Sequence, residues 1–410
     1  MVTTQPGVQS GMARTSQSSS LPIVFHVIDS LDISGGAERQ LVANVRAFDH
    51  RQLDHRVVVI KASPTNRTED LDGVVPVTML FGDAEARPRV AVIARLTNLI
   101  RRQRPSLLHA SLADASLASR VAGRLTRVPV VESLVNISHE PVRTIDNPHV
   151  TMAKLKAHAL LDRLTMRHLA GFHAVSQAVA DSWVRTVGLS ADVIRVIPRG
   201  IQVTDMDVPP VGRQHNRFSV REEFGFPPDS FVVSTVGRVE PQKGHRYLIE
   251  ATAGLVRLYP HIRVLIVGRS GVSSPSVEAM IRALGLAEHV HLVGPRRDIS
   301  RILTGSDVFA FPSLFEGNGG NAMIEAMAAG LPIVTTNEPP MTDLIPDQSV
   351  GLLVPRAASG DLAEAISHLV RDGQLRASLG DAAKQRVRGF PKPEEIASLF
   401  EGWYRGLLDV

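Results

Sequence analysis

Apolar residues gather along this chain in short runs rich in β-branched side chains, separated by longer stretches in which they recur at helical spacing. Pro22–Ile28, Arg56–Lys61, Ser106–His109, Val128–Leu134 and Phe172–Val175 show the first pattern and read as strands. Ala37–Phe48, Val90–Arg102, Ala113–Leu125, Thr151–Leu169 and Gln177–Val187 show the second and read as helices. Apolar runs without polar alternation suit strands covered on both faces, so the repetition predicts a parallel sheet between two layers of helices.

The pattern breaks once and restarts. Asp205–Asp229 holds four prolines and clustered charges without sustained periodicity, which predicts a linker over residues 204–230. Beyond it, Phe231–Gly237, Arg263–Gly268, Val290–Val293, Val308–Phe311, Pro332–Thr335 and Gly351–Val354 read as strands, with helices at His245–Tyr259, Ser276–Leu284, Asn321–Ala329 and Asp361–Arg371. The expected organisation is a disordered tail over 1–20, a Rossmann-like domain over 21–203, the linker, a second Rossmann-like domain over 231–390, and a separate segment over 391–410. In that last segment Ile396, Leu399, Phe400, Trp403, Leu407 and Leu408 share one side of a helix with no following strand to cover. It either crosses back to the first domain or caps the second. Open parallel sheets bind ligands at the carboxyl ends of their strands, so two facing domains place the expected site in the cleft between them.

With 410 residues, 44% hydrophobic and 21% charged, the chain has a globular composition, and a largely disordered protein is excluded. The absence of cysteine removes disulfide scaffolds, zinc ribbons, iron–sulfur ligation and thiol nucleophiles together, and suits a reducing compartment. No run of 18 apolar residues suggests a membrane span, and the polar first 20 residues lack a secretory signal's apolar core, so a cytoplasmic protein is expected. The net charge of +4 is unevenly divided: residues 1–200 carry 24 Lys and Arg against 17 Asp and Glu, whereas residues 201–410 carry 21 against 24. Much of the surplus lies between Arg95 and Gly200, where Lys154, Lys156, Arg163 and Arg167 sit on the amphipathic Thr151–Leu169 helix. Such a helix is either a solvated basic face or a surface for anionic lipid, in which case the protein sits peripherally on the inner face of a membrane. Nucleic acid is disfavoured, because aromatic residues make up only 4% of the chain and no stacking motif interleaves the charge.

Three segments carry candidate chemistry. Gly35 and Gly36 follow the first strand and open a helix, which lets backbone N–H groups approach a phosphate or simply forms a tight turn. Arg238 and Lys243 stand five residues apart on the loop Gly237–Gly244 between a strand and a helix, where two cations can clamp a diphosphate; the spacing is not that of a P-loop. Pro312–Gly330 delivers Glu316 at a strand end, then the turn Asn318, Gly319, Gly320 and Asn321, then Glu325 on a helix. Carboxylates accept hydrogen bonds from sugar hydroxyls, and helix capping accounts for Asn321 but not for Glu316.

Taken together, these segments resemble the retaining, nucleotide-sugar-dependent glycosyltransferases of family four, which have the two-domain glycosyltransferase B fold. The carriers are Gly35-Gly36-Ala37-Glu38-Arg39, His173–Val179, Val196–Ile201, the Arg238/Lys243 loop and Glu316–Ala328. The resemblance implies transfer of a sugar from a UDP- or GDP-sugar to a glycan, lipid-linked or small-molecule acceptor, with no metal and no cofactor. It implies that Gly35 and Gly36 approach the phosphates and that Arg238 and Lys243 neutralise the leaving diphosphate. Glu316 and Asn318–Asn321 would then contact the sugar and phosphate, Glu325 the ribose, and Gly294–Arg297, with Arg296, the nucleobase.

The chain departs from the family pattern in three places. Glu316 and Glu325 are separated by eight residues where the family usually has seven. Val135 stands where a histidine is usual, which leaves His109, Asn136 and His139 as acceptor-side candidates. Arg199 replaces the asparagine of the usual Pro-Asn-Gly turn, a change expected to be mild in a loop. A sugar-nucleotide epimerase and a non-catalytic sugar-nucleotide-binding protein remain alternatives at this point.

Overall fold

The computed structural model describes residues 21–32, 36–62, 66, 68–82, 88–201 and 208–409. The expected tail over 1–20 and the candidate Gly35 lie outside these described residues.

The first domain contains β1 (Ile23–Ile28), α1 (Gly36–Ala47), β2 (Asp54–Lys61), β3 (Val77–Phe81), α2 (Arg89–Gln103), β4 (Leu107–Ser111), α3 (Ala113–Thr126), β5 (Val130–Leu134), α4 (Met152–Thr165), β6 (Gly171–Ala174), α5 (Gln177–Val187) and β7 (Ile194–Val196). Its seven parallel strands run β3-β2-β1-β4-β5-β6-β7. β3 and β7, both at sheet edges, are absent from the strands expected above: β7 is three residues long, and β3 begins just after Pro76.

Next comes α6 (Pro210–Glu223), a helix within the stretch expected to be a linker without sustained periodicity. The correction has a polar cause. Among its side chains only Val220 and Arg221 are buried, too few to leave a hydrophobic period. Arg221 anchors the helix by donating to the carbonyls of Ser230 and Gly305 and to Asp307 Oδ2 at 2.7 Å.

The second domain contains β8 (Phe231–Val236), α7 (His245–Leu255), β9 (Ile262–Val267), α8 (Ser274–Ala283), β10 (Val290–Gly294), α9 (Ile299–Gly305), β11 (Val308–Phe311), α10 (Asn321–Ala328), β12 (Ile333–Thr336), α11 (Met341–Leu344), β13 (Leu352–Val354), α12 (Ser359–Arg371) and α13 (Gly373–Arg388). Its six parallel strands run β10-β9-β8-β11-β12-β13. In both sheets the winding reverses, between β1 and β4 and between β8 and β11, and a crevice opens at the carboxyl ends of the strands there.

The chain then returns. Ile201 N–H donates to Pro391 C=O at 3.0 Å, tying the outgoing and returning segments together. α14 (Pro393–Leu408) lies on α1, and its Ile396, Phe400 and Tyr404 join Val24, Phe48, Val57 and Leu107 in the first domain's core. Leu399, grouped above with the apolar side, is exposed, and Tyr404, not singled out there, is the side chain the core encloses.

Candidate functional site

The loops after β8 and β11 are joined along their backbones. Leu314 N–H donates to Gln242 C=O at 2.7 Å, and Gln242 Nε2 donates to Phe315 C=O at 2.9 Å. Gly244 permits this contact: its φ is +64°, and a Cβ there would stand 2.0 Å from the Pro312 carbonyl oxygen. The result brings Lys243 Nζ to 2.5 Å from Glu316 Oε1, with the ammonium 5.2 Å from the centre of the Phe311 ring. Glu316 is buried, whereas the Arg238 side chain is 48% exposed, with Glu240 as its ion-pair partner at 3.9 Å.

The Asn-rich turn faces the first domain. Asn318 Oδ1 accepts from Gly320 N–H at 3.3 Å, and Gly319 and Gly320 both have positive φ. The capping reading of Asn321 does not hold, because Gly320 occupies the cap position of α10 and the Asn321 side chain accepts from Arg199 Nη1 at 3.0 Å. One turn along α10, Glu325 Oε1 pairs with Arg39 Nη1 of α1 at 3.2 Å. Burial raises the Glu325 carboxyl above its usual range, and Arg39 opposes the shift.

Gly317 is a point of close approach between the domains. A Cβ there would lie 2.0 Å from the Val135 carbonyl oxygen and 3.4 Å from Asn136 Cα, and Ser176 Oγ donates to Gly317 C=O at 2.6 Å. Asn136 is therefore beside the second domain's loop through its backbone. Its side-chain oxygen is taken by Ile137 N–H.

The two expected acceptor-side histidines are both held by neighbouring side chains. His139 is buried under α4, with Nε2 on Asp162 Oδ2 at 2.9 Å and its ring edge-on to Trp183. Asp162 in turn holds Arg120, which pairs with the buried Glu132, so His139 belongs to a structural network. His109 does line a cavity of about 40 Å³ at the carboxyl ends of β1 and β4–β6, together with Ser133, Val135, His173 and Arg199. Yet its Nδ1 meets Tyr404 Oη at 2.5 Å and its Nε2 meets Ser133 Oγ at 2.8 Å, and burial, then His173, pushes its pKa down to about 3. Both nitrogens are committed, which leaves none for an acceptor proton.

Arg296, expected near the nucleobase, pairs with Asp298 at 2.8 Å and with Glu223 at 2.7 Å on α6.

Sequence reasoning missed two cations. Arg39 lies in the early Gly-Gly motif but was read only as part of a helix start, and Arg199 was read as a mild loop change. In the structure Arg199 sits against Gly36, where a Cβ would be 2.9 Å from Nη1, and burial followed by Arg39 lowers its pKa to about 10. The cleft thus collects Arg39, Arg199, Arg238 and Lys243 around Glu38, Glu316 and Glu325, an arrangement suited to a ligand that carries both phosphates and hydroxyls.

Residues 34–205 match the family described as Glycosyltransferase Family 4, and residues 216–386 match the one described as Glycosyl transferases group 1. The chain is similar to the D-inositol 3-phosphate glycosyltransferase of Mycobacteroides abscessus, 34% identical over 212 residues, which are 50% of this chain and 45% of that protein. It is 28% identical over 269 residues to the 2-deoxystreptamine glucosyltransferase of Streptomyces kanamyceticus, which covers 63% of this chain and 65% of that protein. In each case the chain spans less than two thirds of the relative's length. Anabaena Alr3699/HepE in complex with UDP-glucose superposes with a TM-score of 0.77 at 22% identity, covering 93% of this chain and 99% of that one. WaaG, a glycosyltransferase involved in lipopolysaccharide biosynthesis, does so with a TM-score of 0.71 at 17% identity, covering 93% and 100%. With family matches that take in most of both domains, and the two-sheet architecture shared with these structures, the chain belongs to the glycosyltransferases of family four and has the glycosyltransferase B fold.

Proposed function

We propose that the protein moves a glycosyl group from a nucleoside diphosphate sugar, a UDP- or GDP-sugar, to an acceptor hydroxyl, with retention at the anomeric carbon and without a metal. The observation that carries this reading is the Lys243–Glu316 pair at 2.5 Å beside Arg238, on two loops whose backbones are bonded to each other. An ammonium already held on a carboxylate has its remaining donors for a diphosphate, while the carboxylate keeps an oxygen for a sugar hydroxyl. Arg238, half-exposed in the cleft, adds a second cation to the charge that develops as the diphosphate leaves. Glu325, oriented by Arg39, accepts from the ribose hydroxyls.

In the step itself the bond between the anomeric carbon and the diphosphate oxygen breaks, and the acceptor oxygen bonds to that carbon from the same face. The acceptor's proton passes to the leaving phosphate oxygen. This assignment is supported by His109, whose two nitrogens are taken by Tyr404 and Ser133, by His139, whose Nε2 is on Asp162 and whose Nδ1 is enclosed, and by Val135 at the cavity wall. The deciding experiment is a thermal-shift screen of UDP, GDP and their sugars, followed by product analysis with and without acceptor extracts. A stabilising nucleotide and acceptor-dependent donor loss are expected; epimer formation without acceptor would overturn transfer.

The acceptor is read as lipid-linked, presented at the inner face of a membrane. On α4 Leu160, Leu161 and Leu164 are exposed along one face, flanked by exposed Lys154, Lys156 and Arg163. Uncovered leucines within a basic rim match the apolar and anionic layers of a lipid surface. Co-sedimentation with phosphatidylglycerol vesicles is expected at low salt, and its absence there would reject this part of the reading.

A further inference from the structure

Arg199 stands at the junction of the two domains and has no carboxylate within ion-pair distance among the described residues. Its hydrogen bond goes from Nη1 to the neutral Asn321 amide oxygen, while its Nε is buried with no partner. The guanidinium lies on Gly36, the first residue of α1, so a cation faces the positive end of a helix dipole. Arg39, Glu38 and Glu316 act on it from the flanking elements, but Glu316 is committed to Lys243. It also borders the small cavity formed with Ser111, Ser133 and Gln40.

A guanidinium with an unmet donor, against a helix N-terminus and short of a counter-charge, is completed by an anion with several acceptor oxygens. We propose that Arg199 is a phosphate-reading residue at the seam between Gly36, at the start of α1, and the Asn-rich turn before α10. It gives this chain a charge contact that the asparagine usual in the Pro-Asn-Gly turn does not make. The inference rests on the glycosyl-transfer reading above and deepens it. The phosphate comes either from the donor diphosphate, lying against the Asn321 side of the guanidinium, or from a phosphorylated acceptor on the Gly36 side.

The test is isothermal titration of the full chain and its R199N and R199K variants, with UDP and GDP in one arm. The second arm titrates inorganic phosphate into protein saturated with the tighter nucleotide. If the donor is the source, R199N binds that nucleotide about tenfold to a hundredfold more weakly, and R199K recovers part of the loss. If the acceptor is the source, nucleotide affinity is kept and phosphate binding to the filled protein disappears in R199N. Equal behaviour of R199N and the unaltered chain in both arms overturns the proposal. Failure of the unaltered chain to bind either nucleotide instead sinks the transfer reading and this inference with it. R199K, which retains the charge, controls for any loss of fold in R199N, and melting temperatures are compared for all three.

Discussion

Lys243 and Glu316 illustrate how much of the cleft is set by single contacts. Replacing Glu316 with Gln keeps the shape but removes the charge that holds the ammonium, and replacing Lys243 with Met keeps the methylene stem over Gly237 but removes the cation. Each change is expected to lower turnover about 100-fold to 1000-fold, the range for a lost charge-stabilising group, with a melting temperature close to that of the unaltered chain. Steady-state rates measured beside thermal unfolding check this; a loss of turnover that merely tracks loss of fold would refute it. A second prediction concerns the histidines beneath α14. Burial pushes His109 down to about 3 and His173 to about 4, so both are neutral in the fold at pH values where the unfolded chain binds protons. Their contribution is therefore complete above about pH 6.5 and is lost as the pH falls toward 4. The drop in melting temperature between pH 7 and pH 4.5 should be smaller in H109Q than in the unaltered chain; identical drops would contradict the assignment.

At the scale of elements, strands covered on both faces were legible because continuous Val and Ile runs leave little alternative, as in Val232-Val233 and Ile262–Val267. α6 was illegible because it is fixed by polar side chains whose partners lie far along the chain, Arg217 and Arg221 on Asp307, Asn216 on Thr304 and Glu223 on Arg296 and Arg301, and no local pattern records that. The cleft shows the same division: Lys243 and Glu316 announced themselves by their loop motifs, whereas the positions of Arg199, His109 and Arg296 depend on partners far along the chain. α14 allows a sharper expectation. Ile396, Phe400 and Tyr404 are buried in the first domain, and each such side chain is worth about 1.5–3 kcal/mol against a typical total stability of about 5–15 kcal/mol. Residues 21–203 alone should bind a hydrophobic dye and lack a cooperative unfolding transition, and adding a peptide of residues 391–409 should abolish the dye binding and restore a cooperative transition. A sharp transition in the fragment without the peptide would show that α14 is dispensable.

Across the whole molecule the domains are tied by ion pairs on separate edges: Arg39–Glu325 at 3.2 Å, Arg269–Asp32 at 3.1 Å, and Arg246–Asp146 at 2.9 Å. All three arginines are partly exposed, so each pair is individually weak and screened by salt. The radius of gyration by small-angle scattering should rise when salt goes from about 0.05 to 0.5 M and fall again on adding the bound nucleotide, which replaces screened pairs with contacts inside the cleft. An unchanged radius under both conditions would mean that contacts other than these ion pairs, such as those at Gly317, Asn321 and the Ile201–Pro391 crossing, fix the domains.

The return of α14 also sets the order in which a ribosome-bound chain can be completed. Residues emerge at about 5–20 per second, so the roughly 200 residues between β7 and α14 take about 10–40 s to appear. During that interval the earliest-made sheet waits with its histidine row and aromatic trough unsealed, while the later-made sheet has all of its own strands before the strap arrives. The half synthesised first is therefore finished last. A chain that ends before Pro393 leaves this trough uncovered, so added protease should cleave it faster than the chain that carries α14.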